Sequence, residues 1–142
     1  MSPSLMPTGS CFDDALEYLE HLSRSNPQML VEHQALWLVH GLCRARNAEG
    51  TIYAHGWVEL DGHCIEAGLL YGNRIYYGVR TDRYYAKRNV IQATAYRMVD
   101  VLAENERTNN YGPWQQEYLD HCLNGRPARI LGKVEGIFGD ET

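Results

Sequence analysis

No apolar run in the chain approaches the ~18 residues that a membrane-crossing helix needs. The first residues lack a basic stretch leading into an apolar one, so no secretory leader is expected. The four cysteines, Cys11, Cys43, Cys64 and Cys122, contain no CxxC pair. That spacing fits neither a zinc knuckle nor a dense disulfide framework, and free thiols in a reducing cytoplasm are the simplest expectation. A phosphate-cradling loop and a dinucleotide fingerprint are both missing, so no nucleotide cofactor is implied. Thirteen Lys and Arg against 18 Asp and Glu leave a net charge of -5. The basic residues form no stripe, which argues against nucleic acid as a partner.

Phenylalanine is scarce too, with two copies against ten tyrosines. Tyrosine combines apolar area with a polar tip and suits a half-wet surface or a cleft. The remaining composition, 44% hydrophobic and 22% charged, is that of a globular protein, and 142 residues fit one domain. Residues 1–9, with Pro3, Pro7 and Gly9, read as a flexible lead-in, and Arg126–Thr142 as a weak strand or tail.

Between these ends the pattern predicts an α+β fold, with an N-terminal helix packed on a small antiparallel sheet and further helices towards the C-terminus. Phe12, Ala15, Leu16, Leu19 and Leu22 follow a helical period. Ser10 stands at the N-cap position, and Asp13, Asp14 and Glu17 occupy the early turns, where the helix dipole favours acids. Asn26-Pro27 ends that helix. Ala35–Ala45 reads as a buried strand, followed by strands over Thr51–Leu60 and His63–Leu69. Asp61-Gly62 between them is a two-residue hairpin signal. Gly72-Asn73 marks a further turn, Arg74–Tyr77 a short strand, Thr81–Ala86 one helical turn and Asn89–Ala93 a last strand. A helix then runs from Thr94 or Tyr96 to Glu106, and another over Trp114–Leu123, with Pro113 in its first turn and Gly125 past its end.

The hairpin carries the chemical information. A turn at Asp61-Gly62 sets Leu60 opposite His63 and Trp57 opposite Glu66. Side chains alternate between faces, so Tyr53, His55, Trp57, Glu59, Cys64 and Glu66 share one face. Ala54, Val58, Leu60, Ile65, Ala67 and Leu69 share the other, which reads as core. His55 and Glu66 become diagonal neighbours, within about 7–8 Å at Cβ. A glutamate can span that gap to one imidazole nitrogen, fix the tautomer and support an imidazolium.

Cys11 supplies the expected nucleophile. A helix N-terminus favours the thiolate, and its backbone N–H groups can contribute to an oxyanion hole. A thiolate on a helix start, facing a histidine on a strand, is an arrangement for cysteine acyl transfer.

Gly9-Ser10-Cys11-Phe12 opening a helix, with His55-Gly56-Trp57-Val58-Glu59 on a later strand, resembles the transglutaminase-like branch of the papain-like cysteine enzymes. The match spans about Gly9 to Gly68. The resemblance implies a papain-like core and a Cys-His-acid order along the chain. Its histidine often stands in a His-Ala-Trp-Val-Glu strand, where this chain has Gly56 in place of alanine. Glu66 stands where the family has aspartate. Tyr84-Tyr85 and Tyr111-Gly112-Pro113-Trp114 are similar to stretches of small bacterial and phage proteins.

The expectation is a cysteine hydrolase or acyltransferase acting on an amide or related acyl bond. Its catalytic residues are Cys11, His55 and Glu66, and its substrate contacts are Trp57, Tyr53 and Tyr85. The substrate would be a peptide, a protein or a small amide, with no cofactor and no metal. Alternatives remain at each position. Cys11 can be a core thiol and His55 a structural histidine. Glu66 can pair with Arg44 or Arg46, Cys64 is a rival thiol on the histidine's face, and His40 is a packing residue near it. The competing function is a non-catalytic binding or inhibitor protein whose cleft is built from Tyr53, Trp57, Tyr76, Tyr77, Tyr84 and Tyr85.

Overall fold

The computed structural model describes residues 10–25, 28 and 36–122. It has an α+β architecture, with an N-terminal helix, a five-stranded antiparallel sheet and further helices. The expected lead-in over residues 1–9 and tail over 126–142 lie outside the described residues. Helix α1 (Cys11–Ser25) precedes strands β1 (Leu36–Arg44), β2 (Ile52–Leu60), β3 (His63–Leu70) and β4 (Asn73–Arg80). Helix α2 (Thr81–Arg88), strand β5 (Val90–Tyr96) and helices α3 (Met98–Thr108) and α4 (Gln116–Leu119) follow. The strand order is β4-β3-β2-β1-β5. No helix among the described residues is long and apolar enough to cross a membrane.

Asp61 and Gly62 both take positive φ, 51° and 79°, as a two-residue hairpin turn requires. They close the pairs Leu60–His63, Glu59–Cys64 and Val58–Ile65, in the register that the sequence predicts. The next turn falls one residue earlier than expected. Tyr71 and Gly72 take positive φ, because Leu70 pairs with Asn73. That register carries β4 on to Arg80, well beyond the short strand expected at Arg74–Tyr77.

The α1 face of the sheet is an ordinary core. Ala15, Leu16 and Leu19 pack with Leu36, Leu38, Val58, Tyr96, Met98, Val101, Tyr111 and Trp114. The opposite face overturns its sequence reading as a non-core surface. Val39, Cys43, Trp57 and Cys64 form a second buried cluster, closed by Tyr84 of α2. The segment expected as one helical turn is thus a two-turn roof. Asn89 ends it in the left-handed conformation, and Arg46 donates to the Ala86 carbonyl (2.7 Å).

The C-terminal elements also shift. Tyr96 pairs with Leu38, so β5 runs through residues expected to begin a helix. Helix α4 covers four residues rather than Trp114–Leu123. Trp114 is drawn into the core instead, where its indole donates to the Asn110 carbonyl (3.0 Å) and its ring packs edge-on against Tyr96.

Gly41 sits on the second face beside the Trp57 ring, and a Cβ there would run into the Trp57 indole and lie 3.1 Å from the Gln92 carbonyl oxygen. Trp57 is fully buried and cannot give way. Gly41→Ala is expected to cost about 1–3 kcal/mol of stability through overpacking, read as a lowered midpoint in urea denaturation with an unchanged slope.

Candidate functional site

The site is assembled where β2 and β3 part. Their ladder holds from the turn to Val58 and Ile65, and α1 begins beside the stretch beyond it. A Cβ on Gly56 would lie 2.8 Å from the Phe12 ring and 3.5 Å from the Phe12 Cα. Phe12 therefore fills the space that a side-chain methyl at position 56 would take. This close approach carries Cys11, the residue before Phe12, to the neighbourhood of His55. The Ser10 carbonyl accepts the Asp14 N–H (2.8 Å), so Ser10 occupies the N-cap position and Cys11 the first helical turn. The Ser10 hydroxyl reaches the Asp14 carboxylate (3.2 Å).

Cys11, His55 and Glu66 come together. His55 Nε2 meets Glu66 Oε1, and the Cys11 thiol lies close enough to the same imidazole to act on it electrostatically. With Nε2 committed to the carboxylate, Nδ1 is the ring atom left for the sulfur. The His55 side chain is 12% exposed and that of Glu66 6%. Burial by itself would lower the His55 pKa, but Cys11 and then Glu66 outweigh it and push the pKa up to about 9. Tyr53 lies edge-on to the His55 ring at 6.2 Å and Trp57 lies tilted against it at 5.8 Å.

Glu66 is the most heavily engaged group of the site. Tyr84 donates to Oε1 (2.7 Å), the oxygen that also meets His55. Tyr77 donates to Oε2 (2.6 Å), as does Arg88. Four partners fill the acceptor positions of one carboxylate. Burial raises the Glu66 pKa, but His55, Tyr77 and Arg88 more than reverse that and hold it well below the usual carboxylate range. The cation beside Glu66 is thus Arg88. Arg44 instead donates to the Gly50 carbonyl (3.2 Å), and Arg46 caps α2. Sequence reasoning missed Tyr77, Tyr84 and Arg88 as partners of Glu66. The available signal was Tyr84 and Arg88 at i, i+4 spacing, which places both on one side of a helix.

The three residues expected to contact substrate have other engagements. Trp57 is fully buried and its indole donates to Glu59 (2.9 Å), so it is packing behind His55 and has no surface to offer a ligand. The Tyr85 hydroxyl also donates to Glu59 (2.5 Å) and its ring packs edge-on to Trp57. Tyr53 is half-buried, with Cys43 and Arg88 as electrostatic partners.

The rival thiols differ from Cys11 in their surroundings. Cys64 is fully buried, and burial, with Glu59 adding to it, pushes its pKa up to about 12. Burial pushes Cys43 up to about 11, and it also raises the pKa of Cys122. His40 stays out of the site. It is enclosed by Phe12, Tyr96 and Trp114, and burial lowers its pKa to about 3. Among the described residues no group of three or more His, Cys, Asp and Glu is arranged to hold a metal ion.

No family model, no curated protein and no solved structure matches this chain.

The two histidines should titrate in opposite senses. In a pH series of 15N–1H spectra, His55 is expected to remain an imidazolium through neutral pH and to lose its proton near pH 9. His40 is expected to stay neutral until about pH 3. Because folding raises the His55 pKa from 6.5, its contribution to stability is complete below pH 6.5 and fades as the pH rises through about 9. Because folding lowers the His40 pKa, it removes stability as the pH falls from 6.5 towards about 3. A His55 midpoint at or below 6.5 would contradict the assignment of its partners.

Proposed function

We propose that this chain is a cysteine hydrolase or acyltransferase with a papain-like, transglutaminase-like core, acting on an amide or related acyl bond of a peptide, a protein or a small amide. One observation carries the reading: a single buried imidazole is held by the Glu66 carboxylate and lies within electrostatic reach of the Cys11 thiol. Nucleophile, base and orienting acid are linked in that order, which is the relation a catalytic triad needs.

In this reading the Cys11 sulfur attacks the acyl carbon while its proton resides on His55. The tetrahedral intermediate collapses, the C–N bond breaks, and the amine leaves with the proton from His55 Nδ1. Water, or an amine in a transfer reaction, then attacks the thioester as His55 accepts its proton, the C–S bond breaks, and the acid or new amide leaves with the Cys11 sulfur restored. Glu66 holds the ring by Nε2 and balances the imidazolium. Backbone N–H groups at the start of α1 are the nearest candidates for stabilising the oxyanion.

The binding-protein reading draws less support. Trp57 and Tyr84 are buried, and the hydroxyls of Tyr77, Tyr84 and Tyr85 are directed at Glu66 and Glu59. The aromatic cleft it requires is largely spent on internal packing.

Alkylation by iodoacetamide, followed for each cysteine by mass spectrometry, tests the reading. Cys11 is expected to react at least ~10-fold faster than Cys43, Cys64 and Cys122 at pH 6–7, and His55→Ala is expected to abolish that advantage. If Cys11 reacts no faster than Cys43 or Cys122, the nucleophile assignment is wrong.

A further inference from the structure

A glutamate that only had to orient His55 would need one oxygen. Glu66 has both oxygens filled, and the second is given to Arg88 and Tyr77, neither of which reaches the histidine through the carboxylate's first oxygen. Arg88 comes from the last turn of α2. Its guanidinium lies 5.8 Å from the Tyr84 ring centroid, and Tyr53, which flanks His55, is among its electrostatic partners. The cation therefore meets the carboxylate that stands behind the imidazole.

We propose that Arg88 is a positioning residue that tempers the hold of Glu66 on the His55 proton, so that the proton can be released to a leaving group. The inference rests on the proposed cysteine chemistry. Its physical basis is charge balance in a dry site. A buried carboxylate facing only an imidazolium would bind that proton very tightly, and a histidine that cannot part with its proton is a poor general acid. A guanidinium on the far oxygen divides the carboxylate's charge between two cations. It also repels the proton on His55 through a medium that screens weakly. With Arg88 present, the buried Glu66 carboxylate faces two cationic groups, His55 and Arg88, rather than one.

Every element around the imidazole contributes a titratable or charged group to this balance. Cys11 comes from α1, Cys43 from β1, Tyr53 from β2, Glu66 from β3, Tyr77 from β4, and Tyr84 and Arg88 from α2. Of these, Arg88 is the group with a fixed positive charge. Burial would lower its pKa, but Glu66 and the tyrosines around it hold the guanidinium protonated. Removing it alters the field on His55 without touching Cys11 or His55.

The test is the His55 titration in the full chain, followed by 15N–1H spectra in wild type, Arg88→Met, Arg88→Lys and Tyr77→Phe. Arg88→Met is expected to raise the His55 midpoint by about one pH unit, and Arg88→Lys to return it towards wild type. Tyr77→Phe, which removes a neutral donor from the same oxygen, is expected to shift it upward by less. If Arg88 served only to hold the fold, its loss would loosen Glu66 and the midpoint would fall. A fall, or no movement, in Arg88→Met overturns the proposal. Should that variant fail to fold, a Tyr77→Phe midpoint that stays put or drops does the same. Cys11 alkylation rates in wild type keep the two readings apart. A slow Cys11 removes the proposed function, whereas the titration shifts bear on Arg88 alone.

Discussion

A carboxylate under a helix must either find donors for its lone pairs or give up its charge, and Glu66 is placed under α2. Its four partners come from β2, β4 and two positions of α2. Meeting that requirement fixes much else. It locks Tyr84 and Arg88 one helical turn apart over the sheet, which seats α2 as a roof. It turns the His55 ring so that Nε2 is occupied by the carboxylate. It also makes a polar sheet face compatible with burial, since both oxygens of the carboxylate are answered from neighbouring strands and from α2.

A second constraint is steric. Two glycines let large rings enter the sheet at neighbouring positions. Gly41 pairs with His55 and leaves room for the Trp57 indole on one face, while Gly56 receives Phe12 on the other. The start of α1 therefore lies directly on β2 where β2 and β3 cease to pair. A helix that buries Leu16 and Leu19 on one face of the sheet thereby brings its first residue to a histidine whose side chain belongs to the other. The glycine beside His55 and the phenylalanine after Cys11 are two halves of one contact.

The legible parts of the fold were those governed by local rules. The period of α1, the turn at Asp61-Gly62 and the register it imposes follow from neighbouring residues alone, and that register was enough to place His55 near Glu66. The β3–β4 turn was misplaced because glycine need not stand first in a two-residue turn, and Tyr71 accepts the left-handed conformation at an exposed tip. Helix α4 was overestimated because the burial of Trp114 against Tyr96 and His40 outweighs its weak helical preference. The identity of the Glu66 cation was not legible at all. Arg44, Arg46 and Arg88 look alike in sequence, and only the docking of α2 selects among them.

By itself, the sequence determined the α+β composition, the first helix with Cys11 in its opening turn, and the hairpin that sets His55 and Glu66 on one face. These depend on periodicity and turn chemistry, which act over a few residues. Tertiary structure decided that this face is core rather than cleft, that Trp57 and Tyr85 pack inward, and that Arg88 meets the second oxygen of Glu66. It also decided that Cys11, 44 positions before His55 in the chain, arrives at the same imidazole as Glu66. Those outcomes depend on which surfaces cover one another, and burial converts a row of polar side chains from solvated groups into one interlocked set.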